Sequence, residues 1–277
     1  MRRQLAGWRA RLRSLGDRWE VVRDEWAGEG ELERIVSGSG QILVGPWISE
    51  VGYEVLYWVP FLRWVSAAYR IPPERFIVMS RGGTASWYGA LAAQYVEVFD
   101  HASPADLAIE APAGRLKQRE ISDLDRRLIA AAISTLGLGN VHVLHPSVMF
   151  RWFAPFWSGH EGTGFVDRHT RFTNIVAPDV PLPGALPHNY VAVKLYTARA
   201  LPDAPRIRAQ VEGLVTALAE RWPVVLLDTG LAVDDHADYA LTRSPRIISL
   251  SGRLDPRTNL ALQTRVIAGA RFFVGTC

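Results

Sequence analysis

What most limits the fold of this chain is the alternation, from Gln41 onward, of short β-branched runs with amphipathic stretches of helix length. A strand that is apolar along its whole length is buried on both faces, and a strand that returns to the same sheet after a helix runs parallel to its neighbour. The alternation therefore predicts an α/β protein, with helices covering parallel sheets. Strands are expected at Gln41 to Val44, Arg75 to Met79, Tyr95 to Phe99 and Val141 to Leu144. Helices are expected at Val51 to Tyr69, Thr84 to Ala93 and Ile121 to Leu136. Pro60 falls inside the first helix and should kink or divide it, and Gly137 and Gly139 read as C-cap residues. The aromatic cluster Phe150 to Trp157 leads into a Gly-, Pro- and His-rich stretch, read as a crossing between two units. Its rings either plug the seam between the units or form a wall on which a sugar stacks. Alternation then restarts, with strands at Tyr190 to Leu195, Val224 to Leu227, Arg246 to Leu250 and Arg271 to Val274. Helices are expected between them at Arg206 to Arg221 and Asn259 to Ala268. Because the final buried strand has no covering helix after it, the second unit is expected to be incomplete.

Ligands of open α/β sheets sit outside the carboxyl ends of the strands, so the loops that follow the strands are the places to look for chemistry. The first such loop lies within GPWISEVGYEVLY, Gly45 to Tyr57, and carries Trp47, Ser49, Glu50, Tyr53 and Glu54. Two carboxylates beside a helix N-terminus can move protons, and an aromatic can contact a sugar; the same residues also suit a capped helix start with solvated acids. Arg81 opens Arg81-Gly-Gly-Thr84 after the next strand, a glycine-rich turn that lacks the lysine of a P-loop. In the second unit, Lys194, Tyr196 and Arg199 stand at or just beyond the end of a strand. Cations there can hold a diphosphate, or simply snorkel and pair with a neighbour such as Asp203. Ser251 and Arg253 follow one strand, Asn259 and Gln263 share a helix face, and Gly275 and Thr276 follow the last strand. In that order, small polar residues can hold a base, ribose or phosphate through backbone amides.

The closing segment LALQTRVIAGARFFVGT resembles the donor domain of heptosyltransferase-like and related bacterial enzymes. Two alternating units joined by a crossing resemble the GT-B fold of nucleotide-sugar glycosyltransferases. That resemblance implies two Rossmann-like domains: an amphipathic helix and linker over 1–40, an acceptor domain over 41–157, a crossing over 158–188 and a nucleotide-sugar domain over 189–277. It implies sugar transfer from a nucleotide-sugar co-substrate to a glycan or other hydroxyl, without metal or cofactor. Glu50 or Glu54 would be the acceptor-activating base, Trp47, Tyr53 and Arg81 substrate contacts, and Lys194 and Arg199 the phosphate ligands. Tyr196, Ser251, Arg253, Asn259, Gln263, Gly275 and Thr276 complete the expected nucleotide site. Gly275 and Thr276 match only the first edge of the family's glycine-containing loop. Alternatives are a nucleotide-sugar epimerase or polysaccharide pyruvyl transferase on the same architecture, or a non-catalytic protein that binds a membrane or partner.

The N-terminal segment bears on the last alternative. Leu5, Trp8, Leu12, Leu15, Trp19, Val22 and Trp26 make one apolar helical stripe, accompanied by Arg2, Arg3, Arg9, Arg11, Arg13 and Arg18. Such a helix suits either an anionic membrane surface or docking on the body of the protein or on a second copy. Elsewhere arginines are scattered and the net charge is only +3, which does not indicate a general nucleic-acid surface. A single cysteine, Cys277, excludes an intrachain disulfide and fits a reducing, cytoplasmic setting. The histidines are dispersed, and no Gly-x-Ser-x-Gly nucleophile elbow occurs.

Overall fold

The computed structural model describes residues 22–110, 117–197, 201–228, 237–239, 241, 244–252 and 254–276. Of the residues singled out above, Arg199, Arg253, Cys277 and the stripe from Leu5 to Trp19 lie outside them.

The first helix, α1, occupies residues 22–37 and is followed by strand β1, Gln41–Val44. Helix α2 begins as α-helix at Val51–Tyr53, widens to π geometry over Glu54–Trp58 and returns to α-helix over Val59–Ala68. Pro60 stands in the first turn after the π segment, so the expected division of this helix is a local change of hydrogen-bond register. Strand β2 is Phe76–Ser80, α3 is Ala85–Tyr88 and β3 is Gln94–Glu97. Two helices, α4 (Pro104–Glu110) and α5 (Asp123–Leu136), then lead to β4, Val141–Leu144. Ser122 and Asp125 close a reciprocal capping box on α5, and Gly137 ends it in the left-handed conformation at φ 63°. Three short helices follow: α6 (Pro146–Trp152), α7 (Ala154–Trp157) and α8 (Thr163–Arg168).

All strand pairs in this first sheet are parallel, in the order β3-β2-β1-β4. Period-two alternation assigns each strand residue to a face. Ile42, Val44, Phe76 and Val78 join the core with α1, α2, α6 and α8, whereas Leu43, Ile77 and Met79 join the core with α4 and α5.

Residues 169–188 contain no helix or strand. Strand β5, Val191–Lys194, then opens a second parallel sheet, continued by α9 (Pro205–Arg221), β7 (Val224–Leu226), β9 (Ile247–Ser249), α10 (Asn259–Gly269) and β10 (Phe272–Gly275). The short strands β6 (Tyr196–Thr197) and β8 (Ala237–Asp238) form a separate antiparallel pair. The second sheet has the order β10-β5-β7-β9, so in each sheet the first strand lies between the second and the fourth. Helix α9 covers one face through Val211, Val215 and Ala219. Helix α10 covers the other through Leu262 and Val266, helped by Val180, Leu182 and Leu186 of the crossing.

The two sheets meet at the start of α10. A helix leaves its first N–H groups without partners inside the helix. Here the amide of Ala261, in the first turn, donates to the carbonyl of Gly82 in the loop after β2 at 2.9 Å. Trp87 Nε1 donates to Thr264 Oγ1 at 2.9 Å, and Arg257 pairs with Asp100 at 2.7 Å. Gly82 has φ +73°, and a Cβ there would stand 2.8 Å from Leu260 Cγ. Only glycine accommodates both that conformation and that contact.

The aromatic cluster is not an interdomain plug. Phe150, Phe153, Phe156 and Trp157 make their ring contacts with Tyr53, Tyr57 and Phe61 of α2 and with Phe165 of α8, so they belong to the core of the first sheet.

Candidate active site

The carboxyl end of the first sheet is built around the loop from Gly45 to Glu50. Gly45, at φ +115°, brings the backbone so close to β2 that a Cβ would lie 2.3 Å from the Met79 carbonyl oxygen. The peptide bond to Pro46 is cis. The amide of Gly45 then bonds Leu144 O, and that of Trp47 bonds Met79 O, both at 2.9 Å. The loop is thus anchored to the ends of both neighbouring strands.

A second clamp comes from Gln118, which is 1 % exposed with φ +46°. Its Oε1 accepts the amides of Ile48 and Ser49 at 3.0 and 3.1 Å, and its Nε2 donates to Pro46 O at 2.7 Å and Asp125 Oδ1 at 2.9 Å. Asp125 also faces His145 Nε2 at 3.4 Å, with both side chains buried. Burial works to raise the Asp125 carboxyl, but its interaction with His145 and the bonds from Ser122 outweigh it and hold the group below its ordinary value. His145 Nδ1 accepts the amide of Ser147, which caps α6.

Glu54 sits at the other side of this loop, at the first position of the π segment, with no exposed surface. Its Oε1 accepts Ser80 Oγ at 2.5 Å and Tyr88 Oη at 2.7 Å, while Oε2 has no hydrogen-bond partner among the described residues. Burial pushes this carboxyl up to about 7, against the lowering effect of the two hydroxyl bonds and the charge of Arg81. A carboxyl balanced near neutrality is suited to exchanging a proton at physiological pH. Arg81 is itself 5 % exposed and donates through Nη2 to Ser49 O at 2.8 Å, tying the loops after β1 and β2 together. Beside it, the amides of Gly82 and Gly83 donate to the two oxygens of Glu97 at 2.9 and 2.8 Å. Burial raises the Glu97 carboxyl even so. An open cleft of about 440 Å³ lies where the loop after β3, from Phe99 to Asp106, faces Pro256 and Arg257. Its lining includes none of Glu54, Ser80 or Arg81.

Comparison of the chain with models of known families, with curated proteins and with solved structures gave no match.

The structure separates the residues expected to work together in the first unit. Trp47 is fully buried, stacked at 5.7 Å on Trp58 and 6.5 Å on Phe150, so it is a core residue with no surface to offer a substrate. Glu50 is exposed at the N-cap of α2, without a side-chain capping bond, whereas Glu54 one turn later is sealed. Tyr53 is half-buried against Tyr57, Phe150 and Trp157.

In the second sheet, four expected residues do come together between β5 and β10, where the strand order reverses. Gly275 pairs with Lys194, Thr276 N donates to Lys194 O at 3.1 Å, and Tyr196 N donates to Thr276 Oγ1 at 3.4 Å. Lys194 Nζ forms an ion pair with Asp238 of β8. Asp203, the partner considered for Arg199, binds Arg208 through both oxygens at 2.7 Å. Ser251 follows β9, its amide bonded to Ser249 Oγ, which donates to Asp228. Asn259 and Gln263 do share a face of α10, but there Gln263 Nε2 donates to Asn259 Oδ1 at 3.1 Å and both are buried. With Asn259 Nδ2 donating to Pro256 O at 3.0 Å, these bonds stay within α10 and the turn before it.

Ser80, Tyr88, Glu97, Gln118, Asp125 and His145 were not singled out from the sequence. Only the capping pattern Ser122-x-x-Asp125 was legible as a local signal. No three His, Cys, Asp or Glu side chains converge on a possible metal position among the described residues. None of the described helices is long and apolar enough to cross a membrane.

Proposed function

We propose that the chain is a glycosyltransferase of the GT-B kind, with acceptor bound at the first sheet and nucleotide sugar at the second. One observation carries the reading: two parallel sheets of the same strand order have their carboxyl-end loops in contact through Gly82 and the first turn of α10. Each sheet has a reversal of strand order, the place where open α/β sheets bind ligands, so the arrangement suits two substrates meeting between them. At the second reversal, Lys194 and Thr276 stand side by side at the ends of paired strands, and a nucleoside diphosphate bound there would replace Asp238 as the partner of the Lys194 ammonium.

In the reaction so inferred, the acceptor hydroxyl gives its proton to a carboxylate while its oxygen bonds to the anomeric carbon. The bond from that carbon to the diphosphate oxygen breaks, and the diphosphate leaves with the electron pair, its charge offset by Lys194. Glu50 reaches solvent directly. Glu54 has the proton affinity suited to the task but no exposed surface, so an acceptor reaches it only after the residues around it have moved. Glu50→Gln and Glu54→Gln, assayed side by side, tell the two apart: the base is the one whose loss abolishes transfer while nucleotide still binds.

The direct test is a thermal-shift panel of UDP, GDP, ADP, CMP and their sugars on the whole chain. A nucleotide present at 100 times its dissociation constant stabilises the folded state by about 2.7 kcal/mol. Lys194→Ala should lose that shift. If no nucleotide raises the melting temperature, or if Lys194→Ala leaves the shift intact, the reading fails.

A further inference from the structure

We propose that the cleft between the loop after β3 and the turn before α10 binds an uncharged sugar through Asp100, His101, Asp106 and Arg257. Its lining includes neither Glu54 nor Lys194, so it is a second site, and it stands whether or not the chain transfers sugar. One wall is fixed by its own hydrogen bonds. Glu97 accepts the amide of Phe99 at 3.2 Å, and the amides of His101 and Ala102 donate to Val98 O at 2.9 and 3.0 Å. Asp106 Oδ2 accepts both the amide and the hydroxyl of Ser103, and Leu107 of α4 is fully buried. The other wall is a turn closed from Arg257 N to Asp255 Oδ1 at 2.9 Å and from Thr258 N to Asp255 O at 3.0 Å. It lies against the loop after β2, where a Cβ on Gly83 would stand 3.0 Å from Arg257 O. Both walls are set before any ligand arrives, which lowers the entropy lost on binding.

Polar groups of the lining are left over once these bonds are made. Arg257 Nε donates to Asp100 Oδ1 at 2.7 Å, but both Arg257 Nη atoms and Asp100 Oδ2 have no hydrogen-bond partner among the described residues. The same holds for Asp106 Oδ1 and for the His101 ring. Acceptors and donors thus gather in a hollow of about 440 Å³, within the range of about 300–1,000 Å³ usual for small-molecule sites. Phe99, Pro104 and Pro256 add carbon surface to the same lining, the mixture such sites show.

Charge selects the occupant. The lining sets two carboxylates, Asp100 and Asp106, against the single guanidinium of Arg257. Asp255 and Glu97 also act on Arg257 by charge, while Arg127 acts on Asp106, so acid outweighs base around the cleft. That excess repels a phosphate, and the guanidinium in its midst opposes a polycation. A sugar hydroxyl suits both kinds of group, because it donates to a carboxylate oxygen and accepts from a guanidinium N–H. Hydrogen bonds to charged partners are the stronger ones, and neighbouring hydroxyls on one ring can engage both walls together.

Amide NMR spectra of the full chain, titrated with maltose, cellobiose, lactose and chitobiose, test the site. At least one of these sugars should shift the amides of His101, Ser103, Asp106 and Arg257, whereas sodium phosphate and spermidine should leave them in place. His101→Ala and Arg257→Ala should each weaken that sugar at least about tenfold. Both variants should keep the parent melting temperature, since the His101 ring has no described partner and the Arg257–Asp100 pair is exposed. The proposal is overturned if all four sugars leave these amides unmoved, or if phosphate or spermidine moves them instead. It is overturned equally if both variants fold and bind sugar as the parent does. Nucleotide binding and its loss in Lys194→Ala are read separately, so either proposal can fail while the other holds.

Discussion

Replacing Glu54 by glutamine makes the protonation of this buried carboxyl measurable through stability. An acid whose folded value is raised keeps its proton in the folded chain after the unfolded chain has released it, so stability falls as pH rises between the two values. For Glu54 that window runs from the ordinary 4.5 to about 7. Below 4.5 both states are protonated and nothing is lost; above 7 the full cost, about 3 kcal/mol, is present. The glutamine that replaces it carries no proton to exchange. Its oxygen can still accept from Ser80 and Tyr88, and its amide takes the place of Oε2, which has no described partner. That unsatisfied amide costs roughly 1–3 kcal/mol at every pH. The variant should therefore be the less stable protein at pH 5, and the gap should close or reverse at pH 8.5. Over that interval the difference between the two proteins should change by about 2.5 kcal/mol in favour of the glutamine variant. Urea unfolding of both proteins at the two pH values, compared at equal m-value, reads the difference. Parallel stability curves would show that Glu54 titrates at its ordinary value, and the argument from burial would then be wrong.

Other outcomes follow from the same geometry. Gly82→Ala puts a side chain on a left-handed residue 2.8 Å from Leu260 Cγ; we expect a loss of about 1–3 kcal/mol and faster proteolysis of the crossing at 169–188, both from a loosened joint between the sheets. Gln118→Ala strands the buried amides of Ile48 and Ser49 and should cost roughly 3 kcal/mol in urea unfolding, whereas Gln118→Glu keeps an oxygen for those amides but can donate toward Pro46 O or Asp125 Oδ1 only when protonated, so its loss of stability should grow as pH rises. Trp47→Phe, in the core, should change stability without changing nucleotide binding in the thermal-shift panel, since its ring is stacked on Trp58 and Phe150.

The parallel strands were readable in the chain because each is a short β-branched run closed by a turn signal. Gln41–Val44 and Val141–Leu144 fall where the pattern puts them, and Gly137 ends α5 as its position suggests. The site was readable only in part. The pattern puts Lys194, Tyr196, Gly275 and Thr276 at or just beyond strand ends, and the parallel pairing of β10 with β5, which is a property of the fold, brings those ends together. In the first unit, local pattern drew Trp47, Glu50 and Glu54 into one loop and could not distinguish them. Burial does so: Trp47 turns into the core, Glu50 to solvent and Glu54 into a closed polar pocket.

By itself, then, the sequence determined the strands of the two sheets, the helices between most of them and the parallel direction of the sheets; it did not foresee that residues 25–37, read as linker, are helical, nor the short helices α4, α6, α7 and α8 or the β6–β8 pair. What it determined depends on periodicity and on neighbours a few residues apart. Tertiary structure decided the π turn at Glu54, the raised proton affinity of its carboxyl, the Gln118 clamp and the joint between Gly82 and α10. Each of these depends on groups far apart in the chain: Ser80 and Tyr88 lie 26 and 34 residues from Glu54, Gln118 lies 70 from Ile48, and Ala261 belongs to the other sheet from Gly82. Desolvation and hydrogen bonding across such distances have no period along the chain, so only the folded arrangement reveals them.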